Sequence, residues 1–292
     1  MPLPGTWTVR FGRAELIADD DRPAGWLLSV NGVAQSYVDL ADATHLEFDY
    51  VRMVGDIIDL VAPADEPLTA LHLGGGGCTI PRYVAATRPG SRQVVVEADD
   101  LLAAAVRREL GIKGFRLRVG DARDSLEKVR PGNADLVVSD VFAGSDLPRH
   151  CTTLEYLELV RRAMRPGGTY VANIGDGPPL AFAKSQAATL RAAFSQVVLL
   201  AEPAVLRGRR FGNIVLAGSD QPFDIAGLIP RSARAIGRAR VVVRGRRTRL
   251  HRRRQAGHRR DRSRGTLAAP GRIQTQVTCH HDAGHVRFRR SR

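Results

Sequence analysis

Four consecutive glycines follow a short apolar segment and can bring a ligand close to the backbone. They are Gly74, Gly75, Gly76 and Gly77. Glycine leaves no side chain between the chain and a ligand and accepts positive φ, and a helix that begins after such a loop presents free N–H groups. The run is not the dinucleotide-binding motif GxGxxG, since Thr79 or Ile80 stands where the third glycine belongs. The glycines therefore predict a ligand-binding loop and leave the ligand open.

Three acidic residues, Glu97, Asp121 and Asp140, stand where apolar β-type segments end. A carboxylate at Glu97 can accept both hydroxyls of a ribose, and Asp121 together with the backbone of Ala122 can bind the amine and a ring nitrogen of adenine. Asp140 ends a buried segment at the edge where open parallel sheets hold ligands, which favours a catalytic carboxylate. Each acid also has a local alternative, a helix cap for Glu97 and Asp140 and a turn for Asp121.

The elements that must hold these residues are predicted from an alternation of apolar patterns. Between residues 69 and 217, β-type and helical segments alternate, which is typical of a mainly parallel sheet in an α/β fold. Strands are predicted at 69–73, 93–97, 116–119, 134–139, 169–174, 197–200 and 213–217. Helices are predicted at 48–60, 79–86, 99–110, 154–164 and 181–194. The glycine loop and the acids then lie at the carboxyl edge of one sheet.

The chain of 292 residues divides into three predicted segments. Residues 1–48 contain short β-type runs at 6–11, 26–30 and 33–38, separated by turn residues, and predict a small antiparallel β ribbon. Residues 49–230 form the Rossmann-like ligand-binding domain. Residues 231–292 lack apolar periodicity and are predicted to be disordered, because they cannot bury enough surface to offset the entropy of ordering.

The strongly basic character of the chain comes from its last segment alone. The formal charge is +14, yet residues 231–292 hold 20 Arg, no Lys and two acids, so residues 1–230 carry a net charge of −4. Arg clusters bind polyanions, which would make this tail an arm for nucleic acid or a membrane surface. The competing interpretation is a frameshift product, since Arg, Gly and His without Lys or Glu are typical of a GC-rich gene translated out of frame. Nucleic acid is a predicted partner only if the tail is genuine.

Cysteine usage and hydropathy indicate the compartment. Cys78, Cys151 and Cys279 are scattered, with no CxxC pair and no framework of disulfides, which favours a reduced, cytoplasmic setting. The first residues do not read as a signal peptide, and no apolar stretch approaches the ~18 residues of a membrane span. No membrane association and no metal site are predicted.

Six motifs together resemble the spermidine synthases, including the bacterial spermidine synthase-like proteins. They are LHLGGGG at 71–77, VVVEAD at 94–99, GDA at 120–122, VVSD at 137–140, a helical run at 156–168 and NGVAQ at 31–35. The similarity extends over residues 26–218 and lies in the order and spacing of the motifs. It implies a class I methyltransferase-like sheet preceded by a small β domain, and transfer of an aminopropyl group from decarboxylated S-adenosylmethionine to a diamine such as putrescine. It also implies a homodimer.

The resemblance assigns roles to residues by their position in these motifs. Gln35 would contact the donor, Glu97 its ribose, Asp121 and Ala122 its adenine, Asp140 the attacking amine, and Tyr50 the region of the acceptor. The glycines of the loop would lie against the donor. No cofactor would be bound permanently, because the donor is a co-substrate.

Three positions depart from the family pattern. Gly77 replaces an aspartate that pairs with the amino group of the donor, Ala143 replaces a second acid after Asp140, and Arg52 replaces a glutamate. Asp146 and Asp176 are the candidates that would compensate on the acceptor side. Asp176 has a turn residue as its alternative role.

Two other functions stay open at this point. A methyltransferase that uses intact S-adenosylmethionine is compatible with the absence of an acid at Gly77. A non-catalytic homologue that only binds a nucleoside would tolerate all three departures.

Overall fold

The computed structural model describes residues 2–142, 147–234 and 239–243. The chain begins with an antiparallel sheet of four strands. Its strands are β1 (Gly5–Val9), β2 (Gly12–Ala18), β3 (Gly25–Val30) and β4 (Val33–Asp39), each paired with the next along the chain. This confirms the predicted ribbon, although β2 was not predicted and the first strand ends at Val9 instead of residue 11. In β2 the alternate residues Ala14 and Leu16 are buried against the core, and the charged residues Arg13 and Glu15 between them conceal the apolar pattern.

The second sheet alternates with helices along the chain, as predicted, and has eight strands. They are β5 (Thr69–Leu73), β6 (Arg92–Glu97), β7 (Arg116–Val119), β8 (Ala134–Ser139), β9 (Met164–Asp176), β10 (Gln196–Ala201), β11 (Gly212–Ser219) and β12 (Arg240–Val243). Their order is β12-β10-β11-β9-β8-β5-β6-β7, parallel from β9 to β7 and antiparallel from β9 to β12. The α/β class and the mostly parallel sheet are thus confirmed.

Helices cover both faces of this sheet. They are α1 (Asp49–Ile58), α2 (Thr79–Thr87), α3 (Asp100–Glu109), α4 (Ala122–Lys128), α5 (Leu154–Ala163), α6 (Ala181–Ala193), α7 (Pro203–Leu206) and α8 (Ile225–Arg234). Apolar residues of α4, α5 and α6 pack on one face, and those of α1, α2 and α8 pack on the other. The ribbon packs on α3 through a third cluster that includes Leu16, Trp26 and Leu28 against Leu102 and Val106.

The predicted disorder after residue 230 was wrong for two stretches. Residues 231–234 complete α8, in which Ser232 is fully buried and its hydroxyl lies 3.3 Å from Asp56 Oδ2. Residues 240–243 form β12 because the three valines 241–243 pair antiparallel with β10. Composition averaged over the tail concealed this short β-type run. Residues 244–292, which include most of its arginines and Cys279, lie outside the described residues.

No helix among the described residues has both the length and the apolar character needed to cross a bilayer.

The contact between α1 and α8 predicts a pH-dependent stability. Burial raises the pKa of Asp56 to about 6, and Asp59 adds to this, although the hydrogen bond from Ser232 and the charge of Arg231 act in the opposite direction. Because this value lies above the unfolded pKa of about 3.9, the ionised carboxylate costs stability in the folded state. The cost is complete above about pH 6 and disappears below about pH 4.

We therefore expect Asp56→Asn to raise the melting temperature by a few degrees near neutral pH and to have no such effect near pH 4, measured by thermal denaturation. Asp20→Asn is the matched control, because Asp20 is exposed. An equal gain at both pH values contradicts the assignment.

Candidate active site

A close approach between two strand ends fixes the glycine loop next to Asp140. Gly74 N donates to Val96 O, and Asp140 N donates to Leu73 O, both at 2.8 Å. Gly74 has a φ of +89°, and a Cβ on it would lie 2.1 Å from the carbonyl oxygen of Asp140. Glycine is required here both for its conformation and for its lack of a side chain. The ligand loop and the predicted catalytic carboxylate therefore meet at one point.

Glu97 holds the loop from the neighbouring strand. Its Oε2 accepts hydrogen bonds from the backbone N–H of Gly75 at 2.9 Å and of Gly76 at 3.1 Å, and Oε1 accepts from Asp99 N at 2.9 Å. The side chain that caps α3 belongs instead to Asp99, which accepts from Leu102 N. A carboxylate has about four lone-pair sites, so Glu97 can bind these three donors and still accept a hydroxyl. Contact with one ribose hydroxyl is compatible with this role in the loop, and the contact with both hydroxyls stays a prediction.

Strand β4 of the ribbon contacts the C-terminal end of the glycine loop. Gly77 N donates to Ser36 Oγ at 2.9 Å, and Thr79 Oγ1 donates to Tyr37 O at 2.8 Å. A Cβ at Gly77 would lie 2.9 Å from the Cβ of Ser36 and 3.1 Å from Cγ2 of Val38. Strand β4 thus fills the space that a side chain at position 77 would need, which gives a physical reason for glycine in place of an acid.

Gln35 lies beside this contact at an irregularity of the ribbon. Leu28 pairs with Ser36 and Ser29 pairs with Ala34, so Gln35 is an extra residue without a partner in β3. Such bulges redirect side chains and are frequent next to active sites. Gln35 makes no side-chain hydrogen bond within the described part of the chain and stays a predicted donor contact.

Asp121 caps the helix that follows β7 and also contacts the imidazole of His150. Its Oδ1 accepts from Arg123 N and Asp124 N at 2.8 and 3.1 Å, and its Oδ2 lies 2.9 Å from His150 Nε2. Burial acts to raise the pKa of Asp121, but the hydrogen bonds from Asp124, His150 and Arg123 outweigh it and lower the pKa. Ala122 begins α4 and is buried. Adenine binding by this pair stays a prediction, since the local role of Asp121 is also satisfied.

Asp140 receives two hydrogen bonds from side chains on separate elements. Tyr50 OH on α1 donates to Oδ2 at 3.1 Å, and Asn173 Nδ2 on β9 donates to Oδ1 at 2.9 Å. Burial raises the pKa of Asp140, the two hydrogen bonds lower it, and the charge of Glu97 raises it, with a net rise. Burial and Asp140 raise the pKa of Tyr50 well above its ordinary value, so the phenol is a neutral donor. The predicted pair Tyr50 and Asp140 is in direct contact.

Sequence reasoning missed two residues of this site. Asn173 is 3% exposed and interrupts the buried run at 170–174 of β9, and a polar residue at such a position is a signal that could have been recognised. His150 lies in a short 3₁₀ turn (Arg149–Cys151) remote from Asp121 in sequence, and no local pattern indicates their contact.

The candidates on the acceptor side are less closely associated with Asp140. Asp176 accepts from Gly177 N and Ala183 N, each at 2.8 Å, so one oxygen binds the next residue of the chain and the other binds the first turn of α6. This matches the turn alternative without excluding a ligand. Arg52 donates to Leu46 O and has Glu47 4.0 Å away. Ala143 and Asp146 lie outside the described residues.

The arrangement combines a proton acceptor with a loop for a nucleoside. Burial raises the pKa of Asp140 despite the two hydrogen bonds that it accepts, so its carboxylate takes up a proton more readily than an exposed aspartate does. The backbone of Gly74 lies against Asp140, and the carboxylate of Glu97 binds the next two glycines of the loop. Among the described residues, no group of His, Cys, Asp and Glu is arranged to hold a metal.

Comparisons with known proteins identify relatives of this chain. No family model matches the chain. Polyamine aminopropyltransferases from Vibrio vulnificus (strain CMCP6) and Chromobacterium violaceum are each 29% identical, over 131 and 148 residues, which are 43% and 49% of this chain. The matches span 43% and 55% of the length of these relatives, about half of each.

A solved structure gives a more extensive match. The probable spermidine synthase from Corynebacterium glutamicum ATCC 13032 is 37% identical, with a TM-score of 0.78, and the match covers 82% of this chain and 91% of that one. At this identity over nearly the whole length of the relative, the resemblance seen in the motifs is confirmed, and the chain belongs to the spermidine synthase family.

Proposed function

We propose that this protein is an aminopropyltransferase that moves an aminopropyl group from decarboxylated S-adenosylmethionine to an amine acceptor such as putrescine. The observation that carries the proposal is the Asp140 carboxylate, held by Tyr50 and Asn173 directly beside the glycine loop. The family relationship supports the same class of reaction. The donor is a co-substrate and not a resident cofactor.

The reaction needs a group that accepts a proton and a site that positions the aminopropyl donor. The neutral nitrogen of the acceptor attacks the carbon beside the sulfonium, the C–S bond breaks, and its electron pair stays on sulfur, which becomes the thioether of methylthioadenosine. The new nitrogen–carbon bond leaves an ammonium, whose proton passes to Asp140. Burial raises the pKa of this carboxylate, so it takes the proton more readily than an exposed aspartate would.

The donor is proposed to lie along the carboxyl edge of the sheet. The backbone of Gly74, Gly75 and Gly76 approaches it, Glu97 accepts from its ribose, and Asp121 with Ala122 binds its adenine. Gln35 would contact it from the ribbon. The half-buried position of Asp121 supports this assignment, because its carboxylate retains a lone-pair site beyond its cap and its contact with His150.

One observation favours a second candidate, a methyltransferase that uses intact S-adenosylmethionine. Because Ser36 and Val38 leave no room for a side chain at Gly77, no acid at this position binds the amino group of the donor. A donor that also carries a carboxylate is therefore not repelled at this end of the loop. The two candidates differ in which donor they prefer.

Donor preference is the most direct test. We expect decarboxylated S-adenosylmethionine and methylthioadenosine to raise the melting temperature more than S-adenosylmethionine and S-adenosylhomocysteine, because Asp140 and Glu97 repel a carboxylate close to the sulfur. The measurement is a thermal shift at equal ligand concentration. Equal or larger shifts with S-adenosylmethionine and S-adenosylhomocysteine would contradict aminopropyl transfer and favour the methyltransferase candidate.

Asp140→Asn tests the proton acceptor. It keeps the shape of the side chain and can still bond to Tyr50 and Asn173, so we expect the kcat for aminopropyl transfer to fall by about 10²–10⁴-fold with an intact fold. We also expect a higher melting temperature at neutral pH, since a buried charge is removed. Asp20→Asn, on the exposed surface, serves as the control. Unchanged kcat in Asp140→Asn would remove this carboxylate from the mechanism.

Gly74→Ala tests the close approach of the loop to Asp140. Its Cβ would lie 2.1 Å from a backbone carbonyl oxygen, which cannot move independently, so we expect several kcal/mol of destabilisation or a loss of ligand binding. Gly132→Ala is a matched control, because Gly132 also has positive φ, +65°, but has open space around its Cβ position. It should cost only about 1–2 kcal/mol for the left-handed backbone. Similar unfolding energies for the two variants, measured in urea, would refute the steric argument.

A further inference from the structure

A buried histidine lies directly beneath the glycine loop. His72 is on β5, two residues before Gly74, and is 2% exposed. Its Nε2 lies 2.9 Å from Gln93 Oε1. None of the roles described so far uses this side chain.

The protonation of the His72 ring follows from the partners of Gln93. The amide nitrogen of Gln93 donates to Pro81 O and Gly114 O, at 3.0 and 3.1 Å. Carbonyl oxygens only accept, so this orientation of the amide is fixed and Gln93 Oε1 must accept from His72. Nε2 therefore carries the hydrogen, and Nδ1 is an acceptor with a free lone pair.

His72 Nδ1 lacks a donor among the described residues. Burial lowers the pKa of His72 to about 4, so the ring stays neutral at physiological pH and Nδ1 does not gain a proton of its own. A buried acceptor without a donor is costly, and such atoms are regularly satisfied by water or by a ligand.

A cavity next to His72 provides the space for a donor. Its volume is about 20 Å³, and its polar lining includes His72, Tyr50, Asp140, Ser36 and Thr79. One water molecule needs roughly 10–15 Å³ and two to four polar partners. The cavity meets both conditions for a single water and is too small for a diamine.

We propose that His72 Nδ1 and the Asp140 carboxylate together hold one water molecule in this cavity, which makes His72 a positioning residue for Asp140. The water donates one hydrogen to Nδ1 and the other to a carboxylate oxygen. Ser36 Oγ, which accepts from Gly77 N, has its own hydroxyl hydrogen to donate to the water.

The water would bear directly on the charge of Asp140. The groups that face this carboxylate are Tyr50 from α1, Asn173 from β9 and Glu97 from β6, and the first two stabilise the ionised form while Glu97 opposes it. A third donor, fixed by His72 from β5, favours ionisation further. The consequence for turnover rests on the proposed function, but the water and its effect on ionisation do not.

Three substitutions distinguish the roles of the two ring nitrogens of His72. His72→Asn keeps an acceptor near the position of Nδ1 and loses the contact with Gln93. His72→Gln keeps a donor near Nε2 for Gln93 and loses the Nδ1 acceptor. His72→Leu loses both and serves as the reference for complete removal.

The primary measurement is the pKa of Asp140 in the free protein, from the ¹³C resonance of its carboxyl group, assigned with Asp140→Asn. We expect His72→Gln and His72→Leu to raise this pKa by about one unit, a tenfold change in the ionisation constant, and His72→Asn to leave it near the wild-type value. A purely structural histidine predicts the reverse order, with His72→Gln close to wild type and His72→Asn close to His72→Leu. That order, or a crystal structure without a water between His72 and Asp140, would overturn the proposal.

The pH dependence of kcat/KM with decarboxylated S-adenosylmethionine and putrescine gives the second measurement. Its acidic limb should move to higher pH by about one unit in His72→Gln and not in His72→Asn. If the wild type has no aminopropyltransferase activity, the proposed function fails, and the ¹³C titration still decides the role of His72.

Discussion

The site depends on one steric constraint, the close approach of Gly74 to the carbonyl of Asp140. Any Cβ at residue 74 would overlap that oxygen. The approach lets Asp140 N bond to Leu73 O and Gly74 N bond to Val96 O, so three adjacent strands, β8, β5 and β6, are joined at their carboxyl ends. The loop and the carboxylate are thereby positioned by the backbone of the sheet, which is more rigid than side-chain packing alone. A catalytic group set in this way needs little reorganisation when a ligand arrives.

The two sheets contribute different residues to the site. The central sheet supplies the acids, and the ribbon supplies Ser36, which completes the hydrogen bonding of the loop at Gly77 N. The central domain also binds the ribbon through Asp99. One oxygen of Asp99, Oδ2, accepts from Phe11 N, and the other caps α3. The packing of β4 against Gly77 belongs to this division, because it leaves no room for a side chain at residue 77.

Much of this arrangement could be predicted from the sequence, and the failures have physical causes. The glycine run, Glu97 and Asp140 were recognisable because strand ends and their loops are local in sequence. The contact between Asp140 and Asn173, and that between Asp121 and His150, depend on elements that meet only in the fold. Local roles also overlap with functional ones, since Asp121 and Asp176 cap or bond to backbone whether or not they bind a ligand. The strand at 240–243 was missed because its pairing with β10 outweighs the composition of its surroundings.

The contacts between the ribbon and the loop have a consequence for synthesis of the chain. Ser36 and Gly77 are 41 residues apart, and Phe11 and Asp99 are 88 apart. At translation rates of about 5–20 residues per second, Asp99 is added to the chain roughly 4–18 s after Phe11. During that interval the ribbon has no α3 to cover its apolar face. Until α3 has been synthesised, the apolar residues of the ribbon that pack on it, such as Leu16 and Leu28, therefore stay uncovered on the nascent chain.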